Sequence, residues 1–360
     1  MHFGTSAYVG LGVSMEDTAR HLEEAQAAGV DMLFTSMQLP ESDVEALHRD
    51  MPKLTKLAHA HGMKVDADVA PRTMERFGID RMDARAFKEF GLDVIRLDYG
   101  YSLDETAELT HNTQGLMVEL NATIPVEKQR DNLEALRKAG ARMDRLRACH
   151  NYYPKAHTGL PYAEAVKMNS VLHEYGLEVG GFVASQTHKR YVVGDGLPTL
   201  ERHRTLDVFT QAQECALSGM DFVFIGDDMA AKNELEALTS VQPDVIKLRV
   251  RPAEESEALE WLLNRPFRKA DLAEELLRAG FDGERPEVLK HYPGRIHCER
   301  KVGDVTIDLP SYYRYAGEVN IVLSPLPKDE RIALMGRIVE SDIRTLELLD
   351  GRETLMLVKE

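Results

Sequence analysis

Several short apolar runs of this chain end in ionisable side chains. Val94-Ile95-Arg96-Leu97-Asp98-Tyr99 alternates charged and apolar residues, as a strand with one polar face does. Arg96 and Asp98 share one face, Ile95 and Leu97 the other. Met117-Val118-Glu119-Leu120-Asn121 repeats the pattern and sets Glu119 beside Asn121. Asp66 and Asp68 share a face of Lys64–Val69, and another run ends Ile225-Gly226-Asp227-Asp228. Charge on an inward face is costly, so such groups pair or function. Adjacent strands lie ~4.8 Å apart. Two carboxyls on neighbouring strands therefore come within the range that glycoside hydrolysis uses, one kept protonated as acid, the other acting as base, nucleophile or charge stabiliser. Asp98 and Glu119 are the first choice for that pair and Asp227 is the reserve. Which of them is acid and which base stays open at this point.

The run Leu146–Tyr152 leads into Cys149-His150-Asn151-Tyr152-Tyr153-Pro154. His150, Asn151 and Tyr152 suit recognition of hydroxyl, amide or phosphate groups, and a tyrosine ring can stack on a sugar. Cys149 is expected to face the surrounding helices. After the run Glu178–Ala184 a long loop carries Lys189 and Arg190, positive charge for a phosphate. Arg96 would hold a carboxylate or polarise its neighbour, and Asp68 would contact the substrate. Asp, Glu and His at strand ends would also suit a divalent ion. No HxH pair and no second strand-end histidine accompanies His150, so neither metal nor cofactor is expected.

The elements that must position these groups are eight apolar runs: Phe3–Tyr8, Met32–Ser36, Lys64–Val69, Val94–Tyr99, Leu116–Asn121, Leu146–Tyr152, Glu178–Ala184 and Phe222–Asp227. Helical stretches separate most of them, expected at Ser14–Ala28, Pro40–His61, Asp104–His111, Val126–Ala139, Tyr162–Tyr175, Thr205–Ser218 and Met229–Thr239. Many close at a glycine, the usual helix end. Strand–helix alternation predicts an α/β fold, a (β/α)₈ TIM barrel over residues 1–243 with its chemistry at the strand ends. The 360 residues exceed one barrel of roughly 250. From 244 to 360 the pattern becomes a small, mostly β domain, with strands expected at Asp244–Arg251, Arg295–Arg300, Val305–Leu309, Glu318–Leu323, Ile332–Ile338 and Thr354–Val358. A net charge of −16 without a basic block argues against nucleic acid as partner. Three scattered cysteines form neither a disulfide framework nor a zinc pattern. No apolar run approaches a membrane span. With no leader evident, the expected compartment is the cytoplasm, and a homo-oligomer stays open.

Together these strings resemble a known family. Phe34-Thr35-Ser36, Arg96-Leu97-Asp98-Tyr99-Gly100, Glu119-Leu120-Asn121-Ala122, His150-Asn151-Tyr152-Tyr153-Pro154, Thr158-Gly159-Leu160 and Gly196-Leu197-Pro198-Thr199-Leu200-Glu201 look like the MupG-type 6-phospho-N-acetylmuramidases. Gly303-Asp304-Val305-Thr306-Ile307-Asp308 and Tyr313-Arg314-Tyr315-Ala316-Gly317-Glu318 match in the second domain. The resemblance implies a TIM barrel with a cyclophilin-like C-terminal domain. It implies a cytoplasmic glycosidase of cell-wall recycling that cleaves MurNAc-6-phosphate-GlcNAc. It adds Glu201 and Arg314 as substrate contacts, Arg314 helping Lys189 and Arg190 with the phosphate. Two departures lie where the phosphate or lactyl group would be met. Ser185–Val193 replaces a segment closer to Arg-Gly-Pro-Leu, and Tyr313 stands where the pattern has Gly. From the residues alone, a metal-dependent sugar-phosphate isomerase or aldolase and a non-catalytic sugar-phosphate binder remain the alternatives.

Overall fold

Eight short strands pair in chain order, all parallel, and close into a barrel: β1 (His2–Ser6), β2 (Met32–Ser36), β3 (Lys64–Val69), β4 (Val94–Leu97), β5 (Met117–Asn121), β6 (Leu146–Cys149), β7 (Val179–Val183) and β8 (Phe222–Asp228). The computed structural model describes residues 1–39, 42–97, 99–190, 193–294 and 296–360. Its chain divides into the units Met1–Val241 and Gln242–Glu360. In the first, the helices are α1 (Met15–Ala28), α2 (Val44–Ala60), α3 (Pro71–Arg76), α4 (Ala84–Glu89), α5 (Leu103–Leu109), α6 (Val126–Lys138), α7 (Tyr162–Glu174), α8 (Val208–Leu217) and α9 (Lys232–Thr239). The expected α/β barrel is the fold adopted.

Alternation along each strand sorts the two cores. Val65, Ala67, Ile95, Val118, Val223 and Ile225 face outward and pack with Leu22, Leu54, Leu133 and Leu235 of the helices. The inward residues of β2, β7 and β8 fill one side of the barrel with Met32, Phe34, Phe182, Phe222 and Phe224. Phe34 meets Phe182 edge-on at 4.9 Å, and Phe182 stacks on Phe224 at 5.6 Å. Glycines on the flanking strands make room for these rings. Gly4 of β1 pairs in register with Phe224, and Gly180 of β7 with Phe222. The other side of the barrel, from β3 to β6, carries the buried ion pairs.

The stretch between β3 and β4 holds α3 and α4, for which the sequence pattern predicted no element. Both are only six residues long, too short for a periodic apolar stripe to show. Of the strands expected to run to Tyr99 and Tyr152, the first is described as far as Leu97, with Asp98 outside the described residues, and the second ends at Cys149, where the chain leaves the ladder for the mouth loop.

The second unit is a seven-stranded closed barrel in the order β10-β11-β13-β12-β14-β9-β15. Its strands are β9 (Ile246–Pro252), β10 (Pro266–Lys269), β11 (Leu276–Gly280), β12 (Asp304–Asp308), β13 (Val319–Val322), β14 (Ile332–Ile338) and β15 (Leu355–Lys359), with α10 (Glu257–Leu262), α11 (Glu287–Lys290) and α12 (Glu340–Leu346). β10 and β11 occupy a region that reads as polar and irregular. The strand expected at Arg295–Arg300 is absent among the described residues. Arg295 lies outside them, and Arg300 makes only a bridge to Leu326. No described helix is long and apolar enough to cross a membrane.

A methyl group on Gly180 would lie 1.9 Å from the Phe222 ring. Gly180→Ala is therefore expected to lose about 1–3 kcal/mol by overpacking, read as a lower urea midpoint at unchanged slope.

Candidate active site

Five inward side chains of β3–β6 form one buried ion lattice. Arg147 lies at its base. Its Nε donates to Glu119 Oε2 (2.8 Å), its Nη2 pairs with Asp66, and its guanidinium lies 4.3 Å over the Phe222 ring. Arg96 lies one layer towards the mouth. Its Nη1 donates to Asp68 Oδ1 (2.6 Å) and its Nη2 to Asn151 Oδ1 (2.6 Å), while its Nε stands 3.4 Å from Glu119 Oε1. Three carboxyls thus face two guanidiniums, all of them buried. Burial, then the Asp66 charge, push the Glu119 carboxyl well above the usual range. Within the lattice, Asp66 Oδ1 and Glu119 Oε1 are the buried carboxyl oxygens with no hydrogen-bond partner among the described residues. A proton held by Glu119 and shared with Asp66 satisfies both and leaves two anions against two cations.

Glu119, expected as a catalytic carboxyl, is therefore 0% exposed and sits beneath Arg96. Asp98 lies outside the described residues. Above the lattice opens a cavity of about 400 Å³ lined by Asp68, Arg96, Tyr99, Asn151, Tyr152 and Tyr153, with Ser36, Gln38 and Leu39 on its β2 side. That volume suits a ligand of sugar size. It brings together Asp68, Arg96, Asn151 and Tyr152, four of the residues expected at the site.

Arg190 reaches the same mouth. Its guanidinium lies 4.7 Å over Tyr8 and 5.2 Å over Tyr152, and its Nη1 donates to the Tyr152 hydroxyl (3.4 Å). Lys189 precedes it, half-buried. The neighbouring carboxyl is Asp228, inward in phase with Phe222 and Phe224. Burial raises it to about 7, against the Tyr8 N–H and the Arg190 charge, and its Oδ1 has no hydrogen-bond partner among the described residues. Met229, next in the chain, takes a positive φ of 55°.

Other expected site residues face elsewhere. The Asp227 carboxylate accepts the backbone N–H groups of Ser185 (2.9 Å), Arg190 (2.8 Å) and Leu197 (3.1 Å), so it fastens the loop after β7. Burial raises it while those donors oppose the shift. His150 points outward, between Asn169 of α7 (Nε2···Oδ1 2.7 Å) and Thr123 (Nδ1···Oγ1 3.2 Å), and burial lowers it to about 4. Cys149, expected to face the helices, packs inside the barrel with Phe34 and Phe182. Asn121 accepts the Thr123 N–H (2.8 Å) and borders a separate cavity of about 160 Å³ beside α5 and α6. Glu201 binds Arg204 in a fork (2.7 and 2.8 Å) and accepts the N–H groups of His157 and Gly159 (both 2.8 Å), which holds it down to about 2. Arg204 also donates to the carbonyls of Tyr153, Lys155, Asp195 and Gly196. This pair staples the loops after β6 and β7 together. Arg314 belongs to the second unit, where its Nη2 donates to the Tyr315 hydroxyl (2.7 Å).

Arg147, Tyr8 and Asp228 were not singled out from sequence. The signal for Arg147 was present: Leu146-Arg147-Ala148-Cys149-His150-Asn151 alternates as β4 does. That phase puts Arg147, Cys149 and Asn151 inside and His150 outside. Among the described residues no group of three or more His, Cys, Asp or Glu side chains is arranged to hold a metal ion.

The lattice predicts a pH signature. Glu119 holds its proton in the folded state at pH values where the unfolded chain has released it, so it lowers stability as pH rises above its unfolded value of about 4.3. Glu119→Gln removes that titration. Its stability relative to the parent should climb between pH 5 and 8 in urea melts, whereas a constant or falling difference would mean an ionised Glu119.

Family models described as 6-phospho-N-acetylmuramidase, N-terminal, and 6-phospho-N-acetylmuramidase, C-terminal, match residues 3–240 and 246–358. A crystal structure of an uncharacterised Bacillus cereus protein is similar over 99% of both chains, at 28% identity and a TM-score of 0.86. A conserved Enterococcus faecalis protein of unknown function covers 100% of this chain and 97% of its own, at 31% identity and a TM-score of 0.74. No curated protein matches the chain.

Proposed function

The chain belongs to the 6-phospho-N-acetylmuramidase family, and from that premise we propose that it hydrolyses the glycosidic bond of MurNAc-6-phosphate-GlcNAc, in the cytoplasm and in the service of cell-wall recycling. The observation that carries the reading is a pair of carboxyls at one barrel mouth in opposite environments. Asp228 is raised to about 7 by burial, and Asp68 is ion-paired to Arg96. That division of environments is how two carboxyls take two roles in sugar chemistry.

In this account the sugar lies in the cavity over Arg96, its apolar face against tyrosines such as Tyr152 and Tyr153. Asp228 donates its proton to the oxygen of the departing N-acetylglucosamine as the bond to the anomeric carbon breaks. Asp68, ion-paired to Arg96, stabilises the positive charge that develops on the ring or orients the N-acetyl group against it. Asp228 then takes a proton from the incoming water. Arg190, held between Tyr8 and Tyr152, receives the 6-phosphate with help from Lys189. Glu119 acts from below by holding Arg96 in place, and Asp227, Glu201 and Arg204 hold the loops. Asp98 keeps its place as a candidate and is tested beside Asp228.

The purified protein should cleave the phosphorylated disaccharide and leave the unphosphorylated one intact, read by mass spectrometry. Asp228→Asn should lower kcat by about 10²–10⁴ with little change in KM. Because the acid needs its proton, the parent's kcat should fall as pH rises through about 7, and Asp228→Asn should lose that limb. Arg190→Ala should raise KM for the phosphorylated substrate. Binding of the disaccharide without turnover would leave a sugar-phosphate binder, and full activity in Asp228→Asn would move the acid to another carboxyl, Asp98 first.

A further inference from the structure

The cavity of about 160 Å³ beside α5 and α6 lies outside β4 and β5, at the ends where those strands meet the mouth loops. Leu97 and Leu120 line it from the strands, Leu103 from α5, Ile124 from the loop after β5 and Leu133 from α6. Gln129, in the first turn of α6, lines it too and is only 3% exposed. Its Nε2 donates to the Ala122 carbonyl (3.2 Å), whereas its Oε1 is buried with no hydrogen-bond partner among the described residues. Neighbouring polar groups are engaged elsewhere. The Thr106 hydroxyl donates to the Ser102 carbonyl (2.8 Å), and Asn121 Oδ1 accepts the Thr123 N–H (2.8 Å). A buried acceptor without a donor is costly, so it points to a donor from outside the fold.

The rim of this cavity is apolar and open to solvent. Tyr99 is 58% exposed and Leu103 36%. Tyr99 also lines the cavity over Arg96, so the two spaces adjoin at one aromatic residue. A single water could answer Gln129, but the space is roughly ten times what one water needs. Its lining is mostly apolar, so further waters would lack the polar partners that hold them in place. The fitting occupant is a small group with a methyl at one end and an N–H donor at the other. An acetamido group has both. Asn132, one helical turn beyond Gln129 and lining the same cavity, carries an amide that can donate to the acetamido carbonyl.

We propose that this cavity is the subsite for the acetamido group of the leaving sugar. The methyl enters among Leu97, Leu103 and Ile124, the N–H donates to Gln129 Oε1, and the pyranose ring lies against Tyr99. The assignment rests on the reaction proposed above, which puts the phosphorylated sugar over Arg96 and the departing one beyond it. It adds the feature that makes an N-acetylated sugar the preferred leaving group. Tyr99 and Gln129 act here in recognition and take no part in proton transfer.

Saturation-transfer NMR on the full chain with free N-acetylglucosamine, and separately with free glucose, tests binding without turnover. Transfer should be strongest at the acetyl methyl, and glucose should receive little. Gln129→Leu removes the acceptor, but it also removes the bond to Ala122. Ile124→Trp is the second variant: it fills the cavity from a half-buried loop position and leaves α6 unchanged. Both variants should lose the methyl signal. A parent without that signal, or a signal that survives in both variants, would overturn the subsite. Hydrolysis supplies the second readout. MurNAc-6-phosphate joined to glucose in place of N-acetylglucosamine should show kcat/KM at least about tenfold lower in the parent, and Ile124→Trp should erase that preference. Equal turnover of the two disaccharides by the parent removes the subsite alone. A methyl signal that Ile124→Trp abolishes, with neither disaccharide cleaved, removes the reaction alone.

Discussion

Charge neutrality inside the large barrel is the constraint on which the site depends. Arg147 and Arg96 are buried cations, and each would be costly without an anion in contact. Asp66, Asp68 and Glu119 supply one carboxyl too many for the two guanidiniums. A proton on Glu119 removes the surplus and gives the two orphaned carboxyl oxygens of Glu119 and Asp66 a partner in each other. The lattice then has a direction. Arg147 anchors Glu119 and Asp66 at the bottom, Glu119 backs Arg96, and Arg96 delivers Asp68 and Asn151 to the cavity floor. A floor assembled this way is rigid before any substrate arrives, as electrostatic stabilisation of a transition state requires.

The walls are positioned by other means. Aromatic packing fills the β2, β7 and β8 side, where Gly4 and Gly180 leave space for Phe224 and Phe222. Tyr8 and Tyr152 extend that aromatic side into the mouth and hold Arg190 between their rings. The loops above are fixed by carboxylates used as clamps. Asp227 gathers three backbone N–H groups of the loop after β7, and Glu201 with Arg204 ties that loop to the one after β6. Carboxylates at this mouth therefore divide into those that build it and those proposed for chemistry. Asp228 is distinguished from Asp227 by one step of strand phase.

That step marks where the sequence was legible and where it was not. The eight apolar runs and the charged face of β4 and β5 could be read directly, because period-2 alternation survives even in strands of four residues. Arg96, Asp68 and Asn151 reach the cavity for the reason alternation predicts, whereas Tyr152, out of that phase, reaches it from the loop beyond β6. His150 and Asp227 do not, since a run of consecutive polar residues at a strand end hides the phase. In Cys149-His150-Asn151 only Arg147, further back, tells which residue turns inward. Between Asp227 and Asp228, the aromatic positions Phe222 and Phe224 carry that information. Glu119 was legible as inward but not as deeply buried, because depth along the barrel depends on the stagger of neighbouring strands.

The neutral lattice can be observed directly. Infrared difference spectroscopy on protein with isotope-labelled glutamate, compared with Glu119→Gln, reports whether one buried glutamate carries its proton at neutral pH. The account predicts a protonated carboxyl band in the parent protein that shifts with the label and disappears in Glu119→Gln. A parent spectrum without that band, with Glu119 ionised among Arg96, Arg147 and Asp66, would contradict it.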